Sequence, residues 1–266
     1  MVDVAEVAAD LVAEQQALDD VVSALDKDSW ALDTPSPRWT VADQVAHLTY
    51  FDEAAATAIV DPDRFRTMVD DLMGAAGGGD GAVDEFTLGR RRGLGPAGLL
   101  DAWRVGRGRL AEAAATLADD TRVIWYGPSM GAKSFLTARL MEAWAHGQDM
   151  VDTVGGHRPA TERLRHIAQL GVITRQWSYI NRRLDAPEGD VRVELDGPSG
   201  ARWTWGAEGA DDLVRGPAED FCLVVTQRRH IADTALELTG ETALDWMHRA
   251  QAFAGPPTDG PQPGRT

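Results

Sequence analysis

The chain has 266 residues, of which 44% are hydrophobic and 26% charged, and its formal net charge is −16. That length suits one large or two modest globular domains, and the apolar fraction excludes wholesale disorder, collagen-like structure and coiled coils. A single cysteine excludes a disulfide framework and a cysteine-rich zinc or iron–sulfur site. The acidic balance argues against nucleic acid and anionic membranes as partners, because both attract a positive protein surface.

The first two thirds of the chain are patterned as helices, because apolar residues recur at intervals of three, four and seven. Start signals accompany three of them: Thr40 with Asp43 as an approximate cap, Pro96 at a first helical position, and Ser134 as a cap. Residues 74–81 are rich in glycine and predict a flexible surface loop. The segment lacks a Gly-Lys-Ser/Thr motif, so it does not predict a phosphate-binding loop. The predicted helices span 7–25, 40–51, 96–118, 134–154 and 161–183.

The first four of these helices, in this order, predict an antiparallel four-helix bundle. Beyond residue 189 the apolar period falls to two, which predicts strands, and a turn at 196–200 makes the first two a hairpin. The later predicted elements are strands over 191–195, 202–205, 221–226 and 235–238 and a closing helix over 241–253. The expected fold class is α+β, mainly α, with domains at 1–160 and 161–255 and a disordered tail at 256–266.

Glu142 and His146 stand four residues apart on the fourth helix, so both side chains lie on one face, one turn apart. His47 lies on the second helix. Inward-facing His and Glu residues on different helices build metal sites in bundles, and three such ligands leave one position open, as in catalytic zinc sites. Asp149 and Asp152 are candidate substitute ligands or partners of His146. A Glu-x-x-x-His pair alone is also common on solvated helix faces, which remains the alternative.

Residues 39–48, Trp-Thr-Val-Ala-Asp-Gln-Val-Ala-His-Leu, resemble the opening motif of the DinB-like superfamily. More narrowly, they resemble the metal-binding domain of mycothiol-dependent maleylpyruvate isomerase, whose second motif, Glu-x-x-x-His, is matched by Glu142 and His146. Residues 220–230 resemble an actinobacterial branch of these proteins described only as metal-binding. The resemblance covers residues 20–154 and extends, less closely, through a C-terminal domain similar to the smaller, sterol-carrier-like α/β part of the isomerase.

The resemblance implies a divalent metal ion, with Zn²⁺ as the expected one, bound by His47, Glu142 and His146. Its open position would take water or the sulfur of a low-molecular-weight thiol such as mycothiol, because a divalent cation stabilises a thiolate. In the isomerase, such a thiol adds to an activated cis double bond and is eliminated after the bond rotates. Relatives transfer a thiol onto other electrophiles. The implied partners are therefore a small-molecule thiol and an electrophilic substrate.

Arg228 and Arg229 follow a predicted strand, and the second domain of the isomerase is known for an arginine that reaches the active site. By this resemblance, a guanidinium would bind a substrate carboxylate, and the adjacent His230 would donate or accept a proton. The alternative is a charged strand end that faces water, and the pattern does not indicate which arginine points inward. Cys222 lies between apolar neighbours and is interpreted as a small buried hydrophobic residue.

Three classes of function fit these observations. The first is a metal-dependent, thiol-using isomerase or S-transferase; the second is a non-catalytic metal-binding or small-ligand-binding module of the same fold. The third is an anti-sigma-type or partner-binding helical protein. A solvent-connected coordination position favours catalysis, whereas a fourth protein ligand such as Asp149 favours a structural metal. Without a signal-peptide pattern or an apolar run of bilayer length, a cytoplasmic monomer or homodimer is expected.

Overall fold

The computed structural model describes residues 3–264, which divide into two compact units, the first ending at His157 and the second beginning at Arg158. The fold class is α+β and mainly α, as predicted. Among the described residues, no helix combines the length and the apolar character that crossing a membrane requires.

The first unit consists of helices and one small sheet. Its helices are α1 (Val4–Ser23), α2 (Val41–Val60), α3 (Pro62–Ala76), α4 (Asp80–Arg92), α5 (Gly95–Ala114) and α6 (Ala132–Thr153). Strands β1 (Arg122–Val123) and β2 (Met130–Gly131) pair antiparallel between α5 and α6. The most extensive helix contacts join α2 to α5 and α1 to α6, and α2 also packs against α3, α4 and α6. Helix α2 is therefore the central element of this unit.

The start of α2 confirms the predicted cap. The backbone N–H of Asp43 donates to Thr40 Oγ1 at 3.3 Å, and the backbone N–H of Thr40 donates to Asp43 Oδ2 at 3.1 Å. These two bonds satisfy donors that a helix N-terminus otherwise leaves free, and they fix where the helix begins. The core that α2 shares with its neighbours includes Leu18, Val22, Val45, Leu48, Trp103 and Met150.

The prediction of a glycine-rich loop over residues 74–81 is wrong. Helix α3 continues to Ala76 and α4 begins at Asp80, so only residues 77–79 connect them. The two helices are mostly polar, but Phe65 of α3 and Leu88 of α4 are fully buried. Their burial outweighs the low helix propensity of glycine, because packing rather than propensity supplies most of the stability of a helix in a protein.

Three predicted helix boundaries also differ from the structure. Helix α2 continues nine residues beyond the predicted end at residue 51, to Val60. Ser134 does not cap α6: the N-cap is Gly131, because the chain enters the helix directly from β2, and Ser134 lies within the first turn. Helix α5 ends at Ala114 instead of continuing to residue 118. The connection that the sequence predicts between them contains the β1–β2 pair.

The second unit combines four helices of the described chain with a mixed sheet. The helices are α7 (Leu164–Ile173), α8 (Arg175–Ile180), α9 (Ala218–Val225) and α10 (Glu241–Arg249). The strands are β3 (Val191–Asp196), β4 (Arg202–Trp205), β5 (Asp212–Pro217) and β6 (Glu237–Thr239), in the spatial order β4-β3-β5-β6. The predicted hairpin of β3 and β4 is confirmed, and β5 pairs parallel to β3 and antiparallel to β6.

The predicted strand over 221–226 is wrong, because this segment belongs to helix α9. Every residue from Phe221 to Val225 is buried, and a fully apolar run does not distinguish a buried strand from a buried helix. Gly171 of α7 allows the two helices to approach closely, since a Cβ there would lie 2.9 Å from both Phe221 and Val225. In chain order, the third strand of this sheet is β5, and no sequence pattern predicted a strand there.

Smaller differences follow further along the second unit. The predicted helix over 161–183 is broken at Thr174 into α7 and α8, and the closing helix ends at Arg249 rather than at residue 253. Residues 251–264 have no regular secondary structure, although the backbone oxygen of Thr258 accepts a hydrogen bond from Gln227 Nε2 at 2.8 Å. The last two residues of the predicted tail, 265 and 266, lie outside the described part.

Candidate metal centre

Three metal-ligating side chains converge in the first unit. His47 of α2 and Glu142 and His146 of α6 each offer one ligand atom, and these atoms all lie within 4.8 Å of one another. Glu142 Oε2 is 3.1 Å from His146 Nε2 and 3.4 Å from His47 Nε2. In the chain from residue 3 to residue 264, no other group of three His, Cys, Asp or Glu residues converges in this way.

The donor set fits a divalent transition metal. In a tetrahedral site with bonds of about 2.1 Å, neighbouring ligand atoms are about 3.4 Å apart, close to both separations from Glu142. Imidazole nitrogens combined with one carboxylate oxygen are typical ligands of zinc and related ions. The side chain of Glu142 is 25% exposed, so one of the three ligands is partly accessible to solvent.

The local environment favours the protonation states that metal binding requires. Burial, reinforced by the neighbouring His146, lowers the pKa of His47 to about 4, so its imidazole is neutral at pH 7. Burial opposes ionisation of Glu142, but its hydrogen bonds with His146 and His47 outweigh this effect and hold its pKa well below the usual range. A neutral imidazole beside an ionised carboxylate is ready to coordinate a cation.

A hydrogen-bond network behind His146 fixes the orientation of its ring. Gln44 Nε2 donates to Thr34 Oγ1 at 2.9 Å and to Asp149 Oδ2 at 3.3 Å, so the amide oxygen of Gln44 must face the histidine. That oxygen is 2.5 Å from His146 Nδ1, which therefore donates, so Nε2 is the ring nitrogen that faces Glu142 and that would lose its proton on binding a cation. No sequence motif singled out Gln44, although its position three residues before His47 places it near the same helix face.

The two acidic candidates next to His146 have different surroundings from the three converging ligands. Asp149 Oδ2 accepts hydrogen bonds from Ser36 Oγ at 3.0 Å and from Gln44, and it lies 3.9 Å from Nδ1 of His146, on the side of the ring away from Nε2. Asp152 Oδ1 accepts a hydrogen bond from Gln148 at 2.8 Å. Asp149 is thus placed to orient the network behind His146 and not to coordinate a shared ion.

Aromatic rings surround the imidazole of His47. Its ring centroid lies 4.8 Å from Trp39, 4.6 Å from Phe51 and 4.3 Å from His146. Trp39 is held in place because its Nε1–H donates to Asp84 Oδ1 at 3.1 Å. Asp84 belongs to α4, a helix that the sequence pattern did not predict, so an unpredicted helix supports one wall of the centre.

A buried ion pair lies one turn before Glu142 on α6. Arg139 Nη2 donates to Asp52 Oδ1 at 2.8 Å, while Asp52 Oδ2 accepts hydrogen bonds from Gln15 Nε2 and Trp103 Nε1 at 2.9 and 3.1 Å. Burial raises the pKa of Asp52 even though Arg139 opposes the shift. These contacts tie α1, α2, α5 and α6 together at the level of the metal ligands.

The other predicted site residues, Arg228, Arg229 and His230, belong to the second unit. They follow helix α9, and not a strand, after a turn in which Gln227 has φ +59°. Arg228 Nη1 donates to the backbone oxygen of Thr226 at 2.7 Å, and Arg229 Nη1 donates to that of Arg228 at 2.8 Å. His230 Nδ1 accepts from a backbone N–H two residues later at 3.1 Å. Their catalytic role stays a prediction.

Cys222 is fully buried in α9, and burial raises the pKa of its thiol well above the usual value. Its Sγ lies 3.5 Å from the backbone oxygen of Leu164. The interpretation as a buried hydrophobic residue is confirmed, although the residue lies in a helix.

Several known proteins are similar to this chain in sequence, and others are similar to it in fold. A family model described as the mycothiol maleylpyruvate isomerase N-terminal domain matches residues 11–151. Uncharacterized proteins of two Mycobacterium tuberculosis strains are each 46% identical to this chain over 260 residues, which cover 98% of it and 100% of the relative.

Two crystal structures have a similar fold. Mycothiol-dependent maleylpyruvate isomerase has a TM-score of 0.57 at 17% identity, with 91% of this chain and 94% of that chain covered. A histidine-to-alanine mutant of that enzyme has a TM-score of 0.58 at 16% identity, with 85% and 90% covered. At such identities the likeness concerns the fold.

Proposed function

The chain belongs to the family of the mycothiol maleylpyruvate isomerase N-terminal domain, and from this premise we propose that it is a metal-dependent, thiol-using isomerase or S-transferase. The observation that carries the proposal is the convergence of His47 Nε2, His146 Nε2 and Glu142 Oε2. In this proposal α1, α2, α5 and α6 form a DinB-like four-helix bundle, and the second unit is a sterol-carrier-like domain.

His47, Glu142 and His146 would hold a divalent ion, and Zn²⁺ is the ion that we propose. When bound, such a cation supplies a nucleophilic thiolate at neutral pH, because it lowers the pKa of a coordinated thiol. Gln44 keeps His146 in the tautomer that presents Nε2. The rings of Trp39 and Phe51 flank His47 and form an apolar wall on one side of the site. The names of the related isomerases support mycothiol as the co-substrate.

In the second unit, we assign to Arg228 or Arg229 the binding of a carboxylate of the electrophilic substrate, and to His230 the transfer of a proton. A guanidinium binds a carboxylate through two parallel hydrogen bonds, which would fix the orientation of the substrate. An imidazole changes its protonation state near neutral pH and suits the proton transfer.

The second candidate function is a non-catalytic metal-binding or small-ligand-binding module of the same fold. Two features of the centre favour catalysis over it. Glu142 is partly exposed, and within residues 3–264 no fourth His, Cys, Asp or Glu joins the three converging side chains. A structural zinc site is normally closed by four protein ligands, whereas a catalytic one keeps a position for water or substrate.

Metal analysis of protein purified without chelator tests the proposal. We expect about one equivalent of metal per chain in the parent and its loss in His47→Ala. His157→Ala is the matched control, because it removes an exposed histidine that does not belong to the triad, and it should retain the metal. A full equivalent in His47→Ala would refute the ligand assignment.

Activity measurements then separate the two candidate functions. Metal-loaded parent protein is mixed with mycothiol and maleylpyruvate, or with mycothiol and other small electrophiles, and isomerisation and loss of free thiol are followed. Turnover that disappears in His47→Ala would support the enzyme. A metal-loaded protein that turns over none of these pairs would instead support the binding module.

A further inference from the structure

A groove of about 480 Å³ opens in the first unit, between α2, α3 and the C-terminal end of α5. Its volume lies within the range of roughly 300–1,000 Å³ that is typical of small-ligand sites. The groove is not part of the candidate metal centre. Ala56, which lines it, follows His47 by nine residues, or about two and a half helical turns, and therefore lies on the opposite side of α2.

The floor and one wall of the groove are apolar. Ala56 of α2 and Ala113 of α5 are buried alanines, whose small side chains leave room above them. Val60, at the end of α2, and Met68 of α3 border the same space, and Val60 is 67% exposed. Covering this surface would remove apolar area from water, so an apolar part of a ligand would be stabilised here.

Charged side chains of both signs surround the apolar surface. Glu53 is already paired, because Arg91 of α4 donates to its carboxylate. The guanidinium groups of Arg64 and Arg109 and the carboxylate of Glu112 also line the groove. Within residues 3–264, these three charged groups make no hydrogen bond and no ion pair. The groove therefore offers two free cations and one free anion beside an apolar floor.

The two threonines that line the groove leave recognition to these charged groups. Thr57 Oγ1 donates to the backbone oxygen of Glu53 at 2.9 Å, and Thr116 Oγ1 donates to that of Ala113 at 2.7 Å. Because each hydroxyl has one proton, neither has another to donate to a ligand.

The free charges select a ligand that is itself charged at two points. A carboxylate matches the two arginines, and an ammonium group matches Glu112. Arg109 and Glu112 stand three residues apart on α5, so they are neighbours on one helix face. This spacing favours a compact zwitterion, in which the carboxylate and the ammonium group are close together.

We propose that this groove binds a free α-amino acid with an apolar side chain. The carboxylate of the ligand pairs with Arg64 and Arg109, and its ammonium group pairs with Glu112. Its side chain covers Ala56 and Val60. The proposal goes beyond the metal-dependent function and does not rest on it, because none of these residues belongs to the converging triad.

A ligand-detected NMR titration of the full chain tests the proposal, with L-leucine as the probe. Two matched ligands keep the same apolar part: isocaproate lacks the ammonium group, and isoamylamine lacks the carboxylate. We expect the parent protein to bind L-leucine at least about ten-fold more tightly than either of them, since each lacks one charge-assisted interaction.

Substitutions then identify the groove as the site. The double variant Arg64→Gln/Arg109→Gln should bind L-leucine at least about ten-fold more weakly than the parent. Glu112→Gln should also weaken the binding of L-leucine, but it should leave the binding of isocaproate unchanged. Arg66→Gln is the matched control, because Arg66 is an exposed arginine of α3 that does not line the groove, and it should bind L-leucine like the parent.

Thermal unfolding separates a loss of the site from a loss of the fold. Because Arg64, Arg109 and Glu112 are exposed and unpaired, their substitution should leave Tm close to that of the parent. A double variant that unfolds at a much lower temperature would contradict the view that these groups are free to bind a ligand.

Three titration results would overturn the proposal: no saturable binding of L-leucine to the parent, equal affinities for L-leucine and isocaproate, or unchanged binding in the double variant. The titration requires neither metal nor turnover, so these results are distinct from failure of the proposed function. A protein that lacks metal and binds L-leucine would refute only the metal-dependent enzyme.

Discussion

Gln44 accepts a hydrogen bond from Nδ1 of His146 across 2.5 Å, a contact that joins α2 to α6 behind the candidate metal centre. The amide cannot turn its oxygen away from the imidazole, because its nitrogen donates to Thr34 and Asp149. The orientation of one proposed metal ligand thus depends on a residue that does not itself face the ion.

Replacing Gln44 should weaken metal binding without unfolding the protein. Gln44→Leu keeps a side chain of similar size but removes the acceptor of His146 Nδ1, and loss of such a supporting contact typically lowers metal affinity about 10- to 100-fold. Competition with a chelator measures the affinity. Gln16→Leu, at an exposed position of α1, is the control and should bind metal like the parent. Equal affinity in both variants would contradict the positioning role.

Substitution of Glu142 and substitution of Asp149 should affect metal retention differently. Glu142→Ala removes a proposed ligand and should abolish metal retention during purification. Asp149→Ala removes a partner of Gln44 and Ser36 but leaves the three converging side chains in place, so the metal should be retained with an affinity about ten-fold lower. The opposite result, with metal lost in Asp149→Ala and kept in Glu142→Ala, would shift the ligand set.

Arg228→Ala and Arg229→Ala test the proposed role of the second unit. Both variants should keep the metal of the parent, because neither residue belongs to the converging triad. The arginine that binds the substrate carboxylate should lose at least about ten-fold in kcat/KM for the electrophile when replaced, while the other should lose little. Parent-like kinetics in both variants would indicate that these side chains face water.

The buried pair of Asp52 and Arg139 predicts a large stability effect. Asp52→Asn leaves the guanidinium buried without its counter-charge, which should lower the free energy of unfolding by about 3–5 kcal/mol in urea titrations. The double variant Asp52→Leu/Arg139→Met replaces both charges with apolar side chains and should recover most of this loss. If Asp52→Asn were as stable as the parent, the charges of Asp52 and Arg139 would not be desolvated in solution.

Asp19 predicts a pH dependence of stability. Its carboxylate is buried and accepts hydrogen bonds from Arg104 and Arg107, of which the Arg104 bond contributes most to lowering its pKa below the usual 3.8. Because the folded pKa is the lower one, the stabilisation is fully present above pH 3.8 and is lost as the pH falls through the folded pKa.

Asp19→Asn should therefore be less stable than the parent by about 1–3 kcal/mol at neutral pH. In urea titrations, the difference in the free energy of unfolding between the parent and this variant should narrow only below the usual carboxyl pKa of 3.8. The neighbouring Asp20→Asn, at an exposed position, is the control and should show little change at either pH. A difference in the free energy of unfolding that stays constant into strong acid would contradict this account of Asp19.

Local patterns predicted the parts of the fold that depend on residues close in sequence. The capping box of Thr40 and Asp43, the apolar stripe of α1 and the hairpin of β3 and β4 are all set by interactions within a few residues. The apolar run of helix α9 is as typical of a strand as of a helix. Every residue in it is buried, and uniform burial removes the periodicity that distinguishes the two structures.

For the candidate site, the spacing of four residues is local geometry, so the sequence alone predicts that Glu142 and His146 share one helix face. It does not predict that Gln44 orients His146 or that the ring of Tyr126 lies near that of Phe51, because both contacts depend on packing between elements. These contacts join residues up to 102 positions apart in the chain. Their partners are selected when α2, α6 and the β1–β2 connection pack together, and the period of a single segment does not encode that packing.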